Sequence, residues 1–475
     1  MMTEEQARTL YQQGEAATVA FLVSLTARIP QLEEQAAKNS GNSSKPPSSD
    51  GLAKPALTPM PQSLRTKTGR KRGGQKGHVG KTLLPVEAPD EVVTHAPVSC
   101  PHCHSSLDGG TQVASVRRQV FEMPLPRVVV TEHRAVTIAC PCCAKHSSGS
   151  FPEDVKHPVQ YGANLLGFAT YLHSVHLLPY ARCSDSSAAE LPAQIVQDVT
   201  GAPFGAGSLS RALTRAKEGL DRFDTDLKQA VRAAPLLHAD ETGVRACGKL
   251  RWIHTRSTPT LCYLFSHAKR GKEAVEDLLA YNGRLISDFH SNYVTLSCAH
   301  QFCGAHLLRE LTYAHDVLGQ AWAGRLKAVM ETMVASCHRA RERGSSTVWN
   351  ARQLARAFDG QVTAGLEQNP LPAVQGRRRV AKGKVRCLLE RLQNYRDACL
   401  AFLFDLAVPF TNNEAERDLR MVKVKAKISG CFRTDAGADT FCRLRSYVVT
   451  CRKQGMRLLD CLRSVFAGEI LLPAL

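Results

Sequence analysis

The sequence has no apolar run long enough to cross a membrane. The longest near its start, VAFLVSL from Val19 to Leu25, is far short of the ~20 residues a span needs. Three acids, with Arg8 as the one base, precede it in place of a basic n-region, so it does not read as a secretory leader. A disulfide framework is missing too. The 17 cysteines are odd in number and scattered, which leaves metal ligation as the expected role of any that cluster, in a reducing, cytoplasmic setting. Acids are in short supply: 43 Asp and Glu face 61 Lys and Arg, for a formal net charge of +18. A chain that basic is expected to meet a polyanion, nucleic acid first. Hydrophobic residues at 43% suffice for ordinary cores. The length of 475 residues suggests about three domains at roughly 150 each.

Residues 1–38 read as helical. Leu22, Leu25, Ile29, Leu32 and Ala36 follow a 3-4-3-4 spacing that suits a short coiled-coil seam or ordinary helix packing. Residues 39–62 form a Pro/Ser-rich linker. Residues 63–99 form a basic arm, with seven Lys or Arg and no acid between Arg65 and Lys81. Arg70, Lys71, Arg72 and Lys76 are its candidate contacts to DNA phosphates. Residues 100–150 read as a zinc ribbon. Cys100 and Cys103, and Cys140 and Cys143, each have the two-residue spacing that lets both thiolates hold one tetrahedral zinc. Cys142, His102, His104 and His146 are substitute ligands. QVASVRRQV and RVVVTEHRAVTIA, between the pairs, read as strands. Residues 151–232 look helical, with one apolar stripe through Leu209, Leu213, Ala216, Leu220, Phe223, Leu227 and Val231, and Ser208 as N-cap. The short helices before it suit a helix-turn-helix or a plain bundle.

The period then changes. PLLHADETGV, KLRWIHTRST and TLCYLFSHA read as antiparallel strands, KEAVEDLLAYNG as a helix, RLISD as a fourth strand and CAHQFCGAH as a fifth. Residues 233–315 are therefore the first part of a sheet core: three antiparallel strands, then a β-α-β crossover. Residues 316–405 form a helical insertion, and residues 406–475 complete the core and add a helical tail. The fold class is α+β, multidomain, with a mixed sheet.

Two carboxylates, Asp240 and Glu241, stand inside the first of those strands. Alternation puts Asp240 with His238 on one face and Glu241 on the other, so they do not share a site. Asp288 ends the fourth strand, a neighbour of the first. Two aspartates on adjacent strands repel unless cations bridge them. With a third acid and water they suit octahedral Mg²⁺. The third acid is expected from the helix after Asn412. With Ala415, Leu419, Val422 and Ala426 on its core face, Glu414 and Glu416 lie on opposite flanks, and geometry alone does not choose. Glu416 shares its flank with Arg420, Lys423 and Lys427, a basic stripe that a DNA backbone could follow. Glu416 is preferred on that ground.

These residues carry a resemblance over nearly the whole length. NSSKPPSSD at 42–50, GGQKGHVGKTL at 73–83, the paired CxxC, HADETG at 238–243, NNEAERDLR at 412–420 and GCFRTDAGADTFCRLRSYVVTCRKQG near the C-terminus are similar to the large (TnpC-type) transposases of the insertion-sequence-66 family. The resemblance implies a DDE transposase with a ribonuclease-H-like catalytic core. Its acids fall on Asp240, Asp288 and Glu416, the glutamate of Ala-Glu-Arg, which favours Glu416 over Glu414. Family members commonly follow the second aspartate with Gly-Tyr, where this chain reads DFHSNY. The expected activity cleaves insertion-sequence ends and joins them to target DNA, using two Mg²⁺ ions, with Mn²⁺ as a substitute, beside a structural Zn²⁺. Expected partners are transposon-end and target DNA, further copies of the chain on that DNA, and small accessory proteins of the same element, with no membrane. Two other readings use the same residues: a zinc-dependent DNA-binding regulator without catalysis, and a nuclease or resolvase that cuts but does not join.

Overall fold

The computed structural model describes residue 8 and residues 11–23, 83–122, 128–179, 191–371 and 383–475. Of the N-terminal seam, only Leu22 lies among them, in a helical stretch at 15–23. The linker and the basic residues Arg70, Lys71, Arg72 and Lys76 lie outside the described residues. The chain divides into two units, one of residues 59–128 and one of 1–58 with 129–475.

Between the cysteine pairs, the structure departs from expectation. Residues 112–120 form no strand. Among the described residues of this region, apart from a single bridge between Ser99 and Ser106, pairing is confined to β1 (Thr137–Ala139) and β2 (His146–Ser148), which run antiparallel with Thr137 opposite Ser148. The physical reason is the lack of a covering layer. Val113, Val116 and Val120 are 87–95% exposed, and a strand gains little from branched side chains that bury nothing.

Helices α1 (Ala163–Ser174), α2 (Leu191–Thr200), α3 (Ala206–Gly219) and α4 (Asp221–Ala233) follow. The apolar stripe from Leu209 to Val231 is buried throughout, but two helices share it. The break falls at Leu220, after Gly219, where helix α4 takes Asp221 and Asp224 into its first turn. Helix α3 starts at Gly205 rather than Ser208, which lies inside it. Periodicity survives a break of one residue, so the stripe could not reveal it.

Strands β3 (Leu236–Ala246), β4 (Lys249–Ser257) and β5 (Cys262–His267) form an antiparallel meander. Beyond it, β6 (Arg284–Ser287) pairs parallel to β3, and β7 (Ala299–Phe302) parallel to β6. The sheet order is β5-β4-β3-β6-β7. It is the mixed sheet expected, with β3 at its centre. The segment between β5 and β6 is a 3-10 helix, Lys272–Leu278, rather than an α-helix. Its buried residues Val275 and Leu278 stand three apart, which suits three residues per turn. A short helix, α5 (Ser291–Val294), lies between β6 and β7.

Helices α6 (Gly304–Asp316), α7 (Ala321–Glu342), α8 (Ala351–Gln368), α9 (Lys384–Asn394) and α10 (Arg396–Phe404) build a second core around Trp322, Met330, Phe358, Leu389 and Phe402, which Phe302 of β7 joins. Helices α11 (Asn413–Ser429), α12 (Asp435–Lys453) and α13 (Leu458–Ala467) end the chain. Helix α12 closes the sheet edge. Thr450 Oγ1 accepts the Cys262 N–H at 3.1 Å, and Ser446 Oγ accepts that of Leu264 at 2.8 Å. Free donors on β5 are thus satisfied by a covering helix, which removes an edge open to mispairing. No helix among the described residues is long and apolar enough to cross a membrane.

Candidate active site

Asp240 stands in mid-β3 on the face covered by α11. Asp288 is the first residue after β6. The parallel register ends with His238 opposite Ile286, and Asp240 and Asp288 each lie two residues further along the chain. The Asp288 Oδ1 accepts the His290 N–H at 3.1 Å, and the Asp240 Oδ1 accepts that of Glu241 at 2.8 Å. Glu416 lies in the first turn of α11.

Burial holds the Asp240 carboxyl well above the usual carboxylate range, and the charges of Glu241, Asp288 and Glu416 push the same way. Asp288 is raised by burial and then by Glu241, with the His290 N–H acting against them. Lys423, on the next turns of α11, is lowered by burial while Asp240 opposes the shift. Negative charge thus gathers on this part of the sheet, with Arg270 paired to Glu241 and Lys423 acting on Asp240 as its cations, and like charges so placed favour a bridging cation.

Glu414 and Glu416 have different surroundings. Glu414 is taken up by Arg417 at 3.2 Å and Lys453 at 3.4 Å. Lys453 also pairs with buried Asp418 at 2.7 Å, and Asp418 accepts the Ser257 hydroxyl at 2.6 Å. That flank of α11 is structural. Glu416 instead faces Cys303 Sγ at 4.0 Å and His306 Nδ1 at 3.9 Å. Cys303, His306 and Glu416 have ligand atoms all within 4.8 Å of one another, a group that could hold a metal ion. Burial, then Glu416, pushes the Cys303 thiol up to about 11, and burial pushes His306 down to about 4. Both are therefore uncharged near neutral pH. Of the two histidines named by HQFCGAH, His306 joins the site. His300 turns away, its Nε2 2.9 Å from the Leu296 carbonyl. Arg420, Lys423 and Lys427 are exposed on α11.

Sequence reading missed the pair that ties the helix to the strand. His238 Nδ1 lies 2.9 Å from Asn412 Oδ1, and Asn412 Nδ2 donates to the Ala239 carbonyl at 2.8 Å. Asn412 sits at the N-cap of α11, but its side chain caps nothing there and reaches β3 instead. The Asn412 N–H donates to Cys303 Sγ at 3.3 Å, and the Glu416 N–H to the Asn412 carbonyl at 3.2 Å. One asparagine therefore ties the start of α11, with Glu416 in its first turn, to β3. The available signal was a histidine two residues before the acid, on its strand face. Asn412→Ala strips partners from the buried His238 ring and the Ala239 carbonyl. It is expected to lower stability by about 2–4 kcal/mol, read as a shift of the urea midpoint at unchanged slope. A midpoint within error of wild type would refute the tie.

The cysteine pairs occupy two turns of one design. The Cys100 N–H donates to the Ser105 carbonyl and the Cys140 N–H to that of Lys145. The N–H groups of His104 and Ala144 return to the carbonyls of Cys100 and Cys140. Both residues that close the turns, His104 and Ala144, have positive φ, 57° and 55°. Hydrogen bonds from the Ser105 backbone lower the Cys103 thiol, and those from the Cys143 and Cys142 backbone lower Cys140. Donors that favour thiolate are what a zinc ligand needs.

Residues 158–440 match the transposase IS66 family, and residues 97–144 match the zinc-finger binding domain of IS66 transposases. Residues 2–83 match a family of unknown function, DUF6444. No curated protein matches the chain. The zinc-finger match supports a structural zinc, and a transposase is a DNA-processing protein. With more than half its length inside the first match, the chain belongs to the IS66 family of transposases.

Proposed function

We propose that this transposase cleaves the ends of its insertion sequence and joins them to target DNA by two-metal phosphoryl transfer. The sheet, three antiparallel strands followed by two parallel ones, is read as a ribonuclease-H-like core. Asp240, Asp288 and Glu416 are its metal ligands. The observation that carries the reading is the placement of Asp240 on β3 and Asp288 just past the end of its parallel neighbour β6, with Glu416 in the first turn of the helix packed against β3. Oxygen donors of this kind fit Mg²⁺, and Mn²⁺ in its place. Two such ions supply activation of the attacking oxygen and stabilisation of the leaving one. Neither serine nor tyrosine is required as a nucleophile.

The chain's own residues supply position and charge. Asn412 and His238 hold Glu416 over the sheet. Arg420, Lys423 and Lys427, on the flank of Glu416, follow the DNA backbone by phosphate contacts. The arm residues Arg70, Lys71, Arg72 and Lys76 add affinity without sequence preference. Cys100, Cys103, Cys140 and Cys143 hold one structural zinc. The protein acts in the cytoplasm, as copies assembled on DNA with the small accessory proteins of its element.

An end-labelled duplex carrying the element's terminus, incubated with protein, target DNA and Mg²⁺, tests the proposal. Joined products are expected. Cleavage without joining would point to a nuclease or resolvase, and binding without either to a regulator.

A further inference from the structure

Glu241 is the acid of HADETG that the metal-binding reading leaves without a task. It faces away from Asp240, and its side chain is 2% exposed. A buried carboxylate must be paired or hydrogen-bonded, and two donors meet it. Arg270 Nε lies 2.7 Å from Oε1, and the Tyr293 hydroxyl 2.5 Å from Oε2. Both belong to the chain on either side of Asp288. Arg270 precedes the 3-10 helix, and Tyr293 lies in α5, five residues past the aspartate. Asn292 closes the ring by donating Nδ2 to the Arg270 carbonyl at 2.6 Å. The Arg270 guanidinium also lies 4.8 Å over the Trp252 ring on β4.

The connection runs on to Asp288. His290 gives its N–H to the Asp288 carboxylate and is the N-cap of α5. Tyr293 in that helix is 1% exposed, and its one polar atom is spent on Glu241. Where α5 sits therefore decides where Asp288 points, and Glu241 fixes α5 to the strand that carries Asp240. A sheet register places backbones. It leaves open the orientation of a side chain one residue past the end of its strand.

We propose that Glu241 is a positioning residue that locks the Asp288 loop to β3 and so sets the affinity of the site for divalent cations. The inference rests on the reading of Asp240 and Asp288 as metal ligands. Groups that orient metal ligands typically change affinity by about 10–100-fold when removed.

The test is Mn²⁺ binding to the full, zinc-loaded chain without DNA, followed by electron paramagnetic resonance. Glu241→Gln keeps the shape and removes the charge; Tyr293→Phe removes only the hydroxyl bond. The expected result is Mn²⁺ affinity weaker by about 10–100-fold in the first and by several-fold in the second, with binding to a non-specific duplex within twofold of wild type. Wild-type Mn²⁺ affinity in these variants, whether or not their melting temperature falls, would overturn the proposal. Should Glu241→Gln fail to fold, Tyr293→Phe decides. Asp240→Asn separates the two ideas. If it no longer binds Mn²⁺ while the other variants bind normally, only the positioning role is lost. If it binds at wild-type affinity, the metal-site reading itself fails.

Discussion

Asp240→Asn is expected to reduce end cleavage by about 10²–10³-fold or more, the range seen when one group that stabilises charge in a transition state is removed. DNA binding should stay within a few-fold, because the phosphate contacts are assigned to Arg420, Lys423, Lys427 and the basic arm. The amide is nearly isosteric and keeps an oxygen to accept the Glu241 N–H, so the fold should tolerate it. Mg²⁺ should raise the melting temperature of the wild type but not of this variant. Divalent binding must displace protons from a carboxyl that burial and three neighbouring acids hold high. Wild-type Mg²⁺ affinity should therefore strengthen as pH rises. Purified Asp240→Asn with turnover near wild type would remove this acid from the catalytic set.

Removal of zinc is expected to unfold residues 100–143 while the mixed sheet and its helices stay native. The described residues of that segment have little else to hold them. Val113, Val116, Val120, Val129 and Val130 are 76–95% exposed, and β1 and β2 are three residues each. At about 25 cal/mol per Å² of buried apolar surface, side chains left in water contribute almost nothing. Zinc binding to four thiolates is worth about 10–16 kcal/mol in small domains and would dominate. A chelator should abolish protection of 100–143 against protease and leave the helical circular dichroism of the chain almost unchanged. One zinc per chain is expected by metal analysis. A ribbon that resists protease without metal would rule out a structural role.

Much of the sheet was readable because strand patterns are local. An apolar run cut by turn residues marks a strand wherever it packs. Period-two alternation alone separates Asp240 from Glu241. The 3-4 spacing of Ala415, Leu419 and Val422 likewise gave the buried face of α11, although Asp418 joins that face by pairing with Lys453. Local pattern failed where stability came from elsewhere. The valines of 112–120 have strand character but no covering layer. KEAVEDL has helical character but tightens to a 3-10 turn. The stripe from Leu209 to Val231 hides a break at Leu220.

Residue types and spacings by themselves determined that the chain is basic, that its paired cysteines suit zinc, and that its acids stand on strands and at a helix start. Only the tertiary structure decided which other side chains surround those acids. His238 joins Asn412 across 174 residues, Cys303 approaches Glu416 across 113, and Tyr293 finds Glu241 across 52. Such contacts leave no periodic trace. Each is a single hydrogen bond or approach that forms only once packed strands and helices have brought distant backbone together.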